Sequence, residues 1–454
     1  MNKGTVTIIN YNKNAHAIVA AAGKISTTEG NADEIYNGTY GDAVEKNIKL
    51  INKIISSGHE SVLEHISLNL SFNNVSVFVE QFMIEFRLAS FTVKSRRYVD
   101  FGAMGYVVPD LEEKSDILEL YKAHMKYLFD EYNDFIQCGI PKEDARFVLP
   151  YSFRSNFYCT VNAREFIKIV NEMVYGRGKN FTELVLLGQS LQKQCEEILP
   201  YLNVKKHHAE SSLAELFKVS EGSGKALSST ELVTIINGTE EPEKIICQAA
   251  ALHCGVQSLS DAELEDKEKQ EAVIREILKM QRRRELEQVH YTIRFEKISL
   301  AGITHLVRHR MQSILIPDYL MTYDFEKYVL PESIMNAGLT ERYMRIFAES
   351  QKILSRMESM GLNPYDKVYL LLSGMTLPVM TTMNANELLT FIRLRACNRA
   401  QWEIKECADA LLQELRKRHP VLFSMYGPTC FVTGECPEGR MTCGKKESVC
   451  EMYR

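Results

Sequence analysis

The sequence predicts a mixed α/β (α+β) chain made of two homologous units in tandem, each a small sheet with long helices. Three observations predict it. The order of elements recurs on either side of a polar stretch at 219–230. In each half a strand-like stretch follows a histidine. In each half an Asn-Ala pair opens a long helix at nearly the same distance from an arginine segment. Self-similarity on this scale settles architecture before any local assignment does. A length of 454 residues also exceeds one ordinary domain.

The elements follow in matched order. HAIVAAAG at 16–23 and IICQAAALHCG at 245–255 are alanine-rich helices, best explained by close helix packing. Amphipathic helices follow at 42–57 and 266–287. Then come ISLNLSF after His65 and YTIRFEKISL after His290, where apolar and polar residues alternate as in a half-buried strand. The arginine segments are EFRLAS at 85–90 and RHRMQS at 308–313. The late helices are TVNAREFIKIVNEM at 160–173 and TMNANELLTFIRLRA at 382–396. Arg87 and Asn162 are 75 positions apart, and Arg310 and Asn384 are 74 apart. The boundaries that follow are a first domain at 1–218, a linker at 219–230, a second domain at 231–425 and a cysteine-rich tail at 426–454. The linker, VSEGSGKALSST, lacks the first glycine of a phosphate loop, and Ala226 follows its lysine.

Composition narrows the function classes. A hydrophobic content of 45% with 25% charged residues is that of a globular protein. A net charge of -5 argues against nucleic acid as a partner. The basic run QRRRE at 281–285 reads as a solvated helix face. No apolar run approaches the ~18 residues that span a bilayer, so no membrane partner is expected. The polar first residues carry no signal-peptide core. The expected location is the cytoplasm, where the eleven cysteines stay mostly reduced.

The chemistry-bearing stretches are specific. RHRMQS contains Arg308, His309, Arg310 and Ser313, preceded by His305. The first half offers Ser90, Ser95, Arg96, Arg97 and Tyr98, and HESVLEH at 59–65 with His59, Ser61 and Glu64. It adds ARFVLP at 145–150 with Arg146, and TVNAR with Asn162 and Arg164. The second half adds LRACNRAQWEI at 394–404 with Arg395. Taken twice along the chain, these stretches resemble the flavin-dependent thymidylate synthases. The signature of that family has the form R-H-R-x-x-S-x-N-x-x-S-x-R-Y. The second half carries its front and the first half its back. The R-H-R place in the first half reads Glu85, Phe86, Arg87, and the catalytic-helix arginine falls near Met173. In the second half Asp318, Leu320 and Met321 stand where the S-x-R-Y tail would be, and Val368 stands where the first half has Arg146.

Each half alone has lost a set, and the losses are complementary. The resemblance implies a nucleotide site shared between subunits of a tetramer. Here it implies composite sites built from both halves, with a homodimer forming a pseudo-tetramer. It also implies reductive methylation of dUMP to dTMP with methylenetetrahydrofolate, FAD and NADPH. Arg395 is the implied catalytic residue, a cation that draws electron density onto the uracil ring. His305, Arg308, Ser95, Arg96, Arg97 and Arg146 are the implied substrate-binding residues, since forked guanidiniums suit a phosphate. His59, Ser61, Glu64, Arg308, His309, Arg310, Asn162 and Arg164 are the implied FAD-binding residues. Simpler readings stand beside these. His59 and His65 also suit satisfied structural histidines, and Arg395 also suits pairing with Glu403 or another carboxylate. Thr92 in place of the signature asparagine, and Arg399 in place of the helix histidine, leave open another pyrimidine nucleotide or a non-catalytic flavin-binding paralogue.

The tail holds Cys430, Cys436, Cys443 and Cys450, separated by five, six and six residues. Four thiolates suit a tetrahedral zinc ion that closes a loop-rich segment. An iron–sulfur cluster and free or paired thiols are the alternatives.

Overall fold

A computed structural model describes residues 4–111, 114–202, 213–217 and 231–454. The linker at 219–230 lies outside the described residues. The chain forms two compact units. One contains the first half together with Leu330–Gly374, and the other contains the rest of the second half.

Each unit is built on a four-stranded antiparallel sheet. In the first unit β1 (Thr5–Tyr11), β2 (Ser67–Ser76), β3 (Ala89–Val93) and β4 (Arg154–Asn162) lie in the order β1-β2-β4-β3. In the second, β5 (Val233–Gly238), β6 (His290–Ser299), β7 (Ser313–Leu315) and β8 (Thr376–Asn384) lie in the order β5-β6-β8-β7. Even the irregularities repeat. The first strand pair shifts register between Ile8 and Asn10 in one unit and between Ile235 and Asn237 in the other. The central pair shifts between Phe72 and Val75, and between Phe295 and Ile298. Two sheets with one topology and matching bulges are what a duplicated unit produces.

The alternation seen in the sequence sets the buried face. Leu68, Leu70 and Phe72 are fully buried on β2, as are Ile293 and Phe295 on β6. Phe72 stacks on Phe157 of β4 at 4.5 Å. Removing such side chains from water supplies about 1.5–3 kcal/mol each. The amphipathic helices run Val44–Ser56 and Lys267–Lys279. The second stops well short of the expected residue 287. Beyond Met280 the chain turns into the short 3-10 segment Leu286–Gln288, because three consecutive arginines offer no apolar face to extend.

The late helices run Ala163–Val174 and Ala385–Arg395. Asn162 and Asn384 start them by accepting the backbone N–H of Glu165 (2.9 Å) and Glu387 (2.8 Å). Two long helices, Ser115–Gln137 and Thr340–Ser359, have no counterpart among the sequence expectations, and both belong to the first unit. Arg342 forks to Glu131 (2.6 Å) and Asp134 (2.7 Å) between them. The turn at 371–374 also joins this unit: the Tyr151 N–H donates to the Leu371 carbonyl at 2.8 Å, and the Gly374 N–H to the Phe147 carbonyl at 2.8 Å.

Candidate active site

In the second unit the arginine segment leaves the short helix Leu300–Leu306, which Ser299 caps by accepting the Gly302 N–H at 2.8 Å. Glu403, 4% exposed, accepts both the N–H and the hydroxyl of Ser299 at 2.6 Å each. The turn that follows is pinned by Gln312. Its amide donates to the Leu306 carbonyl at 2.5 Å, and its oxygen accepts Thr381 Oγ1 at 2.7 Å. A turn held in this way presents alternate residues to opposite sides. Arg308 and Arg310 are exposed, and His309 between them is 4% exposed.

His309 meets the helix Ala385–Arg395. Arg395 Nε donates to His309 Nε2 at 2.9 Å, and His309 Nδ1 lies 3.1 Å from Glu387 Oε1. Arginine offers donors only, so Nε2 carries the lone pair and Nδ1 the proton. The ring is therefore neutral. Burial holds its pKa below the ordinary histidine value, and the Arg395 cation works in the same direction against Glu387. Phe391 packs edge-on against the ring at 5.1 Å.

In the first unit Arg97 and Arg146 converge on one residue. Arg97 Nε pairs with the Glu143 carboxylate, and Arg146 Nε donates to the Glu143 carbonyl at 3.0 Å. The Arg97 N–H points to Ser95 Oγ at 3.4 Å. Arg96 turns the other way. It is 6% exposed, pairs with Glu80, and lies over the Phe153 ring at 5.5 Å. The Glu80 carboxylate also accepts Ser155 Oγ. The 3-10 turn Glu60–His65 exposes Ser61 and Glu64, and His59 precedes it, also exposed. Arg164 reaches Glu64 at 2.6 Å, and Asn162 serves as the helix cap beside it. The unit thus gathers Ser95, Arg97 and Arg146 in one group and Glu64, Asn162 and Arg164 in another.

The tail corrects the metal expectation. Among the described residues no group of three or more His, Cys, Asp or Glu side chains is placed to hold a metal ion. Cys436 Sγ donates to Thr442 Oγ1 and Cys450 Sγ to the Cys430 carbonyl, both at 3.4 Å. Tyr453 does the anchoring that a metal was expected to do. Its hydroxyl lies 2.5 Å from Asp409 Oδ1 and 3.1 Å from the Ala396 carbonyl. Arg416 Nη2 donates to the Tyr453 carbonyl at 2.8 Å.

The family model described as thymidylate synthase complementing protein matches twice, over residues 7–201 and 234–421. The chain belongs to that family. Its relatives include a flavin-dependent thymidylate synthase of Clostridium tetani, 29% identical over 242 residues, covering 49% of this chain and 96% of the relative. A second, from Geobacter sulfurreducens, is 31% identical over 232 residues, covering 49% of this chain and 97% of the relative. Relatives of this kind are half the size of the present chain, as a tandem duplication requires. A solved structure of a UMP/dUMP methylase, PolB from Streptomyces cacaoi bound with 5-Br dUMP, aligns over 44% of this chain and 93% of its own. It does so at 21% identity and a TM-score of 0.38.

The residues of this chain suit a flavin. Arg308 and Arg310, exposed on either side of a fixed ring, offer cations to a dinucleotide's diphosphate. The exposed His59, Ser61 and Glu64, with the half-buried Arg164, offer hydrogen-bonding partners of both kinds. Sequence reasoning missed Glu387, Gln312 and Glu143, and offered Glu403 as a partner for Arg395, whereas Glu403 holds Ser299 and Arg395 meets His309. Glu387 had a signal: Asn-Ala-Asn-Glu is a cap followed three residues later by an acid, which reads as a helix start alone. Gln312 and Glu403 lie within the quoted segments RHRMQS and LRACNRAQWEI, but their partners, like that of Glu143, are set by the folded chain. The helix Leu300–Leu306 and the others described are too short or too polar to cross a membrane.

Proposed function

We propose that this chain converts dUMP to dTMP by FAD-dependent reductive methylation, with methylenetetrahydrofolate as the carbon donor and NADPH as the reductant. Its sites are composite, with both halves contributing, in a homodimer that acts as a pseudo-tetramer. The observation that carries the reading is the Glu387–His309–Arg395 chain of hydrogen bonds, which holds one guanidinium at the end of a buried network.

A cation fixed in this way stabilises negative charge where it develops on the pyrimidine ring, without reorganising during the reaction. Arg97 and Arg146, already gathered around Glu143, supply forked donors to the 5′-phosphate, with Ser95 adding a hydroxyl. His305 and Arg308 would hold the same nucleotide from the second half. Arg310, with His59, Ser61, Glu64, Asn162 and Arg164, would hold the flavin, which when bound supplies the reducing equivalents. Complementary loss supports the sharing. The first half has Phe86 and Met173 where the second has His309 and Arg395, and the second has Val368 where the first has Arg146.

The test is an absorbance spectrum of the purified protein and a thymidylate formation assay, repeated on Arg395→Ala and Arg97→Ala. Both variants are expected to lose more than about 100-fold in turnover, as removal of one electrostatic stabiliser does. A neutral Arg97→Ala would show that the halves do not share a site. Arg399 at the helix-histidine position supports a second reading, in which another pyrimidine nucleotide is methylated; turnover with dUMP against UMP and dCMP separates the two.

A further inference from the structure

We propose that His309 is a positioning residue for Arg395 and touches neither flavin nor nucleotide: the hydrogen-bonded line Glu387–His309–Arg395 sets the direction of the guanidinium. The inference rests on the reading that Arg395 faces the substrate, and it changes the role expected of the histidine in the R-H-R segment.

Three observations carry it. First, both ring nitrogens are engaged within the unit, Nδ1 with Glu387 and Nε2 with Arg395, and the ring is 4% exposed. A ring with both nitrogens taken has no polar atom left for a cofactor. Second, the support behind it is rigid. Glu387 sits in the first turn of its helix under the Asn384 cap, and Phe391 fixes the ring edge-on. Arg395 ends the same helix. The ring therefore bridges the first and last turns of one helix.

Third, the first half is an internal control. Counting from the capping asparagine, Glu165 matches Glu387 and Met173 matches Arg395, and Phe86 stands at the histidine's place in the arginine segment. The histidine and the late arginine were lost together. The carboxylate was kept and took a new partner, Lys168, at 3.4 Å. Met173 became fully buried. The loss is the one expected of a histidine that serves the arginine, and the neighbouring Arg308 place changed with it, to Glu85.

The charged groups acting on the ring are Glu387 and Arg395 from the helix, with Arg308 and Arg310 flanking it in the chain on the exposed side. Protonation of Nε2 would break the bond to Arg395, so turnover should fall on the acid side as the ring titrates. The sign of each neighbour's influence follows. Glu387 favours the charged ring, so Glu387→Gln should move the acid limb to lower pH. The Arg395 cation disfavours it, so Arg395→Met should raise the pKa of the ring.

The experiment combines a double-mutant cycle with ring-nitrogen NMR. His309→Phe copies the first half. It is expected to keep its flavin absorbance and far-ultraviolet dichroism and to lose about 10- to 100-fold in kcat, the usual cost of removing an orienting partner. His309→Phe/Arg395→Ala should be no slower than Arg395→Ala alone. In the wild-type protein the His309 signals should report a neutral ring protonated on Nδ1. Loss of flavin from a folded His309→Phe, additive losses in the cycle, or an Nε2-protonated ring would each overturn the proposal. Should His309→Phe fail to fold, the acid-limb shift of Glu387→Gln decides in its place, and an unmoved limb counts against it. A wild-type protein that makes no thymidylate defeats the functional reading, while the tautomer and the Arg395→Met shift still test the positioning line.

Discussion

Glu403 accepts two hydrogen bonds from one residue, Ser299, through its N–H and its hydroxyl. This ties the start of the helix that carries the arginine segment to the start of the helix Trp402–Arg418. Glu403→Gln leaves one of the two donors facing an amide nitrogen, which costs about 1–3 kcal/mol for a buried group. Gly302 adds a steric check. A Cβ there would lie 2.9 Å from Glu403 Oε2 and 3.1 Å from Ser299 Oγ. Gly302→Ala should therefore destabilise comparably. Urea midpoints of both variants test this; unchanged midpoints would remove the clamp.

Asp366 makes the first unit lose stability as pH rises from about 4 to about 6. Burial, with Asp110 nearby, pushes its carboxyl from 3.8 up to about 6. A raised acid favours the folded state while it is protonated in both states, below about pH 4. That contribution is lost as pH rises through about 6. Asp366→Asn should flatten this part of the stability profile and stabilise the protein at pH 8, by up to about 3 kcal/mol at ~1.4 kcal/mol per pH unit. Thermal midpoints at pH 5 and pH 8 give the comparison, and an equal gain at both would contradict it.

Glu143 meets Arg97 through its carboxylate and Arg146 through its carbonyl, so on the proposed reading a nucleotide phosphate would compete with that carboxylate. Glu143→Gln is expected to tighten dUMP binding by about 3- to 10-fold, since the partly exposed pair it removes is worth on the order of 1 kcal/mol. Titration calorimetry gives the sign directly. Weaker binding would mean that Glu143 aligns Arg97 rather than competing for it.

The tail is closed by a tyrosine, so chelators should not loosen it. Incubation with EDTA is expected to leave the thermal midpoint unchanged. Tyr453→Phe should lower it, because Asp409 and the Ala396 carbonyl then lose the hydroxyl, at about 1 kcal/mol. A midpoint that falls with EDTA would restore a metal to the tail.

The duplication was legible because it rests on short-range rules: alternation in β2 and β6, asparagine caps, and nearly equal spacing. The arginine segment was legible by its unusual composition. What could not be read was where partners come from. His309 was seen as a polar residue in an apolar run, and its acceptor and donor lie 78 and 86 positions away on a different element. Arg96 and Arg97 are neighbours with the same side chain, yet one is buried on Glu80 and the other joins Arg146. Chain direction at a turn decides that, and composition does not record it. The cysteine tail misled for a similar reason. Spacing fixes how far apart four thiols are along the chain, and the folded tail gives two of them other partners, Thr442 and the Cys430 carbonyl.

The membership of Leu330–Gly374 in the first unit has a bearing on where the chain can be divided. A cut at the linker would give a front product without the segment that accepts the Tyr151 N–H, and a back product with a long amphipathic helix stripped of its bed. The transfer runs one way, since the second unit takes no segment from the first half. The covalent link between the halves therefore carries structure as well as sequence: a segment of one is part of the fold of the other.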